Sequence, residues 1–213
     1  MRRTAQIRLI SGSGWSSIGK IIGPWTMGLA LLSGLAACRG RPTVQGTAEP
    51  AANPEVTLPP DRLFLLETWG APPSDTTVSL APAKQRSIVL RHGPPDNTVF
   101  AELILPAGAL PDSSGPGYTV TLAPRPGTYG ITITTTPAFK DGATLRFEYP
   151  VHFSAPAAAV AKYGNTARYE AALSIGYQEQ DGRFHLLPST RPAADVLQAM
   201  IPGPGVYLVA APR

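Results

Sequence analysis

Few side chains in this sequence are suited to covalent or metal chemistry. One cysteine, Cys38, and three histidines, His92, His152 and His185, are all that its 213 residues contain. No two of the histidines stand within ligand spacing, and Cys38 has no second thiol beside it, so no metal or other cofactor is expected. A Ser-His-Asp hydrolase needs a histidine near a serine and an acid to orient the ring. No Gly-x-Ser-x-Gly turn accompanies any of the three. Alternation puts His185 on the solvent face of the run Phe184–Leu187, and His92 precedes a Gly-Pro-Pro turn that reads as a solvated loop. Gly14 to Lys20 has the spacing of a phosphate-binding loop, but Ile21 stands where Ser or Thr must hold the metal. Asp96/Asn97 and Asp112/Ser113/Ser114 lack the spaced carboxylates of a calcium loop and read as turns.

Cys38 is different because of what precedes it. Arg2, Arg3, Arg8 and Lys20 are basic, and no acidic residue comes before Cys38. Ile21 to Ala37 is apolar, broken by Gly23, Pro24 and Gly28, and shorter than the ~20 residues a spanning helix needs. A basic start, an apolar run and small residues form the anatomy of a signal peptide over residues 1–37. Leu35-Ala36-Ala37-Cys38 resembles the bacterial lipobox. That resemblance implies a mature N-terminus at Cys38 held to a membrane by acyl chains, such as palmitate. A single chain anchors only marginally, whereas two or three hold firmly at ~0.8 kcal/mol per buried CH₂. Arg39 is not the Asp that retains some lipoproteins in the inner membrane, so the resemblance favours an outer membrane.

The formal charge of +4 comes from the leader. Four of the 18 basic residues precede Cys38 and none of the 14 acidic ones does, so the remainder is neutral. With no basic patch, nucleic-acid binding is excluded as an expectation. Residues 38–60 are rich in Pro, Ala, Gly and Thr and read as a flexible tether. Residues 61–213, about 150 in all, are of a size for one domain with one core.

That domain reads as an all-β, mostly antiparallel sandwich of about ten short strands with one short helix. The expected strands are Arg62–Trp69, Thr76–Leu80, Ser87–Arg91, Thr98–Leu105, Tyr118–Leu122, Tyr129–Thr135, Thr144–Phe153, Arg168–Gln178, Phe184–Leu187, Val196–Met200 and Val206–Ala210. In Thr98–Leu105 the alternation assigns Val99, Ala101, Leu103 and Leu105 to the core face. Pro150 within its run marks an edge or a bulge. Pro156 to Tyr163 is the helix, with Gly164 as its stop.

Leu103-Ile-Leu-Pro-Ala-Gly-Ala-Leu110 resembles the ZU5-type β-sandwich, whose members run an aliphatic strand into Pro-Ala-Gly-Ala-Leu. Tyr118–Leu122, Phe139–Leu145, Phe147–Val151, Ala172–Tyr177, Asp181–Phe184 and Gly205–Ala210 follow in the same order, so the likeness covers about 98–210. It implies an interaction or structural module without a catalytic set. Some members of that class cleave their own chain at His-Phe-Ser, the sequence of His152-Phe153-Ser154 here. This sequence places that tripeptide after an internal strand, where those members have it near the closing strand. The expectation is a non-enzymatic, lipid-anchored module at the bacterial cell envelope that binds a protein partner. Its candidate contact loops are His92–Asn97, Pro111–Gly117 and Arg191–Asp195. The alternatives are glycan binding on exposed aromatics, Trp69 first, or self-cleavage between Phe153 and Ser154. The tyrosines at 129, 149, 163, 169, 177 and 207 are the other candidates for a stacking platform, with core packing as their competing role.

Overall fold

Alternating apolar and polar residues, punctuated by proline and glycine, fold here into antiparallel strands. The structure is a computed structural model that describes residues 53, 55–80, 84–110, 117–136, 138–139, 142–149 and 153–213. Cys38, the lipobox residues Leu35, Ala36 and Ala37, and His152 lie outside the described residues.

In chain order the strands are β1 Val56–Leu58, β2 Leu63–Leu65, β3 Glu67–Thr68, β4 Thr76–Leu80, β5 Arg86–Arg91, β6 Val99–Leu105, β7 Tyr118–Pro124, β8 Gly130–Thr136, β9 Ala143–Glu148 and β10 Phe153–Ser154. Helices α1 Ala157–Tyr163 and α2 Thr166–Ala171 follow. The chain ends in β11 Ser174–Gln178, β12 Phe184–Leu186, β13 Ser189–Ala193, β14 Val196–Ile201 and β15 Gly205–Pro212. One sheet runs β1-β12-β11-β15-β8-β7-β4, with β2 also paired to β15. The other runs β13-β14-β9-β6-β5, and β10 pairs with β3 in a small ribbon. All these pairings are antiparallel.

The inner faces of both large sheets meet in one core. Leu103, Leu145 and Leu197 come from the five-stranded sheet, and Val120, Ile131, Ile175 and Val209 from the other. Facing sheets joined by interdigitated side chains make a sandwich. The fold is mostly β, as the alternation requires, and it does not close into a barrel. The Pro-Ala-Gly-Ala-Leu segment has a plain structural role. Gly108 takes a φ of +80°, the Ala109 amide donates to the Pro106 carbonyl at 3.1 Å, and Ala109 and Leu110 return into the core.

Several local readings are corrected. Arg168–Gln178 is not one strand. Asn165 caps α2 by accepting the Arg168 amide at 2.9 Å, so its first half is helical and the described residues hold two α-helices. Thr144–Phe153 ends as a strand at Glu148, and Phe153 pairs instead with Thr68 of β3. Arg62–Trp69 splits into a 3-10 turn at Pro60–Arg62, β2 and β3. In β6 the register shifts between Leu90↔Ala101 and Arg91↔Val99, which makes Phe100 an extra residue. That bulge turns Phe100 into the core, where strict alternation puts it outside. β1 lies within the stretch read as tether. Its Val56 and Leu58, with Leu65, pack on a second small cluster of Leu63, Phe184, Leu186, Leu208 and Ala210.

Candidate functional site

The two described histidines occupy opposite environments. His92 is buried, its ring edge-on to Phe100 at 5.3 Å, and its amide donates to the Thr98 carbonyl at 2.9 Å. It is therefore a core histidine and not the solvated loop residue that the Gly-Pro-Pro context suggests. The bulge that turns Phe100 inward brings the ring beside it.

His185 does face outward, as alternation requires, but it is not isolated. Its Nδ1 lies 2.8 Å from Thr57 Oγ1, and its Nε2 lies 2.5 Å from Glu55 Oε1. Glu179 Oε1 is 3.8 Å from Nδ1. Hydroxyl, imidazole and carboxylate are thus linked in the order of a hydrolase triad. The setting is wrong for that chemistry. Thr57 is in the middle of a paired strand, directly opposite His185, and no strained turn presents its hydroxyl. A cavity of about 200 Å³ beside β1 is lined by Asn53, Val56, Tyr163, Ala172, Ser174, Leu186 and Pro212, the neighbours on the other face. The arrangement clasps the N-terminal segment to β12. Sequence reading found His185 but not Glu55 or Thr57, because a contact across some 130 residues leaves no local pattern.

A second set of polar contacts pins the helices. Arg191, from an expected contact loop, is half-buried and points inward. Its guanidinium donates to the Tyr149 hydroxyl, the Glu170 carbonyl and, at 3.4 Å, the Leu173 carbonyl. Asn53 Nδ2 donates to Ala171 at 3.2 Å and Leu173 at 2.9 Å. These side chains add bonds to the carbonyls of Glu170, Ala171 and Leu173, at and just beyond the C-terminus of α2. Burial pushes the Tyr149 hydroxyl above the ordinary tyrosine range, and the Arg191 charge pulls partly against it.

The aromatic residues are mostly core. Phe147, Phe100, Tyr129, Tyr149 and Phe153 form an unbroken series with ring centroids between 5.2 and 6.0 Å apart. Tyr169 and Tyr207 are buried as well, donating to the Leu65 carbonyl at 3.1 Å and the Gly203 carbonyl at 2.5 Å. Tyr163 and Tyr177 pack partly buried against the same core. The tyrosines therefore form no exposed platform. Among the described aromatic residues Trp69 is the exception, at 57% exposed.

Trp69 directly follows β3, where the Thr68 amide donates to Gly127 in the β7–β8 turn at 3.1 Å. Two open grooves of about 390 and 440 Å³ run beside this junction and share Leu65 and Thr128. Pro60, Pro124, Pro126 and Pro156 line them, with Glu67, Arg125 and Arg213 supplying charge. The Arg213 guanidinium sits 4.9 Å over the Phe64 ring. The pairings Ala101↔Phe147 and Leu197↔Phe147 bring the β5–β6 and β13–β14 turns to one end of their sheet. Of the expected contact loops, Pro94–Asn97 is exposed in that first turn and residues 111–116 lie outside the described set.

At the tripeptide, Phe153 packs against Tyr149 with centroids 5.9 Å apart, and Ser154 is exposed opposite Glu67. Among the described residues no three His, Cys, Asp or Glu side chains gather as metal ligands, and no helix is long and apolar enough to cross a membrane.

What these residues define is an all-β sandwich with an exposed tryptophan at the end of β3, the strand whose Glu67 lines a groove with Pro60 and Pro156. Compared with known proteins, the chain matches no family model, no curated protein and no solved structure.

Proposed function

We propose that this protein is a lipid-anchored component of the bacterial cell envelope whose sandwich is a non-enzymatic module binding a protein partner. The observation that carries the partner reading is Trp69, 57% exposed and two residues beyond Glu67, which lines a groove together with Leu63, Phe64, Leu65 and Arg213. Tryptophan anchors flanked by apolar pockets and arginine are the usual centres of binding energy in protein interfaces. The anchor rests on the lipobox resemblance at Leu35–Cys38, with the outer membrane favoured by Arg39. The described chain is fastened to the sandwich from Asn53 onward, fifteen residues beyond Cys38 in sequence. The ZU5-type likeness supports an interaction module in the same way.

The test has two parts. The mass of the mature chain from detergent-solubilised envelopes should correspond to a start at Cys38 plus acyl chains, unbroken to Arg213. A chain retaining residues before Cys38 without modification sinks the anchor, and a break between Phe153 and Ser154 establishes self-cleavage. A photo-crosslinker at Trp69 should then give a discrete adduct that a crosslinker at Met200, exposed on the five-stranded sheet, does not. Because Trp69 is an exposed aromatic, glycan binding is the second reading. Retention on envelope glycan that Trp69→Ala abolishes, with no protein adduct, would select it.

A further inference from the structure

Strand β1 covers surface that belongs to the rest of the sandwich. Val56 and Leu58 pack on Phe184, Leu186 and Leu208, while β1 itself is an edge strand of three residues paired only with β12. With β1 lifted away, an apolar patch and the free edge of β12 would stand open together, which is a template for another strand. The segment whose side chains fit that site by identity is β1, and a second copy of the chain carries it.

We infer that β1 exchanges between two copies of this protein, each lending residues 53–58 to the β12 edge of the other. This goes beyond partner binding at Trp69 and does not depend on it. The exchanged pair remakes the closed contacts, with Val56 opposite Leu186, Thr57 opposite His185 and Leu58 opposite Phe184. The bonds from His185 to Thr57 and Glu55 are remade too, so the main cost is lost freedom of two molecules. The hinge suits this. Pro59 is extended at φ −69° and ψ 157° and is followed by Pro60, so the strap is stiff where it leaves the sandwich. Opening breaks the β1–β12 pairing, the His185 bonds and the Asn53 bonds to Ala171 and Leu173, all at one edge of the sheet, and is local and cheaper than unfolding. Confinement of anchored copies to one membrane raises their effective concentration.

The experiment uses the full chain in membranes, carrying Thr57→Cys in one tagged copy and His185→Cys in another. Directly opposed strand residues have the Cβ spacing a disulfide needs. Interchain disulfide between the two tags should exceed, by roughly tenfold, that of a control pairing Thr57→Cys with Val89→Cys on the other sheet. A chain carrying only Cys38 sets the background. The double variant Thr57→Cys/His185→Cys in one copy should close on itself, showing that the pair is competent. If it closes while the mixed single variants give no more than the control, the exchange is refuted. If the substituted chains do not fold, sedimentation of the unsubstituted chain in detergent decides: a concentration-dependent dimer supports exchange, and a monomer throughout refutes it. The anchor is read separately, from whether the chain partitions with membranes at all.

Discussion

Asn53 and Arg191 donate to the same carbonyl, that of Leu173, Asn53 at 2.9 Å and Arg191 at 3.4 Å. The end of α2 is thereby fixed both to the N-terminal segment and to β13. The two donors are unequal, because Arg191 also holds the Tyr149 hydroxyl and the Glu170 carbonyl. Arg191→Ala removes the donor to the Tyr149 hydroxyl and the charge-assisted bonds to two carbonyls that keep one partner each, Glu170 from the Leu173 amide and Leu173 from Asn53, and should cost about 1–3 kcal/mol in urea unfolding. Asn53→Ala should cost about 1 kcal/mol. Arg191→Lys should recover little, since one ammonium cannot reproduce the planar fork.

Among the described glycines, Gly205 would bring an added side chain into the closest contact. Its φ is +153°, and a Cβ there would lie 2.6 Å from Tyr177 Cε2, within the ring that packs 5.2 Å from Tyr207. Strain and displacement of that ring should make Gly205→Ala cost about 2–4 kcal/mol. Gly108→Ala, at φ +80° with nothing within 4 Å, should cost only about 1 kcal/mol, from the backbone alone. Equal losses for the two, measured as unfolding midpoints, would contradict the packing argument.

How far the sequence reveals this fold depends on which contacts are local. β4 matches its expected bounds, because period-2 alternation needs only neighbours, and Gly164 ends α1 at φ +86° as its position foretells. The α2 segment was legible too, in Asn165-Thr166-Ala167, but the alternation of Leu173, Ile175 and Tyr177 just beyond it obscured it. Phe100 was not legible, because a bulge is a property of two strands in register and not of either alone. The clasp at His185 was hidden for the same reason: Glu55 and Thr57 lie in a stretch whose composition reads as tether. Trp69 was found because a large aromatic at a strand end beside Gly70-Ala-Pro-Pro has little structure left to bury it.

Raising the pH should unfold the sandwich before its surface charges alone would. Burial raises the hydroxyls of Tyr149, Tyr163, Tyr169 and Tyr207 above their ordinary value. A folded-state pKa above the unfolded one means stability that is complete below pH ~10 and lost as pH climbs through the folded values. Tyrosinate absorbance should therefore lag the ordinary titration and then appear together with loss of structure. Arg191 pulls Tyr149 downward, so Arg191→Gln should delay ionisation of that tyrosine wherever the variant is still folded. Smooth ionisation of every tyrosine near pH ~10 with structure intact would show the hydroxyls to be accessible.

His185 should matter to the strap and little to the whole. Glu55 is more than half exposed, so solvent screens its contact with the ring and the pair is worth about 0–1 kcal/mol. The Thr57 bond contributes a similar amount. Both hold three residues at a sheet edge, where opening is local, so global unfolding should shift by about 1 kcal/mol or less in His185→Ala. Hydrogen exchange at Val56–Leu58 should quicken by roughly tenfold over the same change, while β6, β9 and β14 in the middle of the other sheet keep their protection. Glu55→Gln should act in the same direction and more weakly, because the amide can still accept from the ring. A uniform loss of protection across both sheets would mean that β1 unfolds with the core, and would remove the clasp as a separate element.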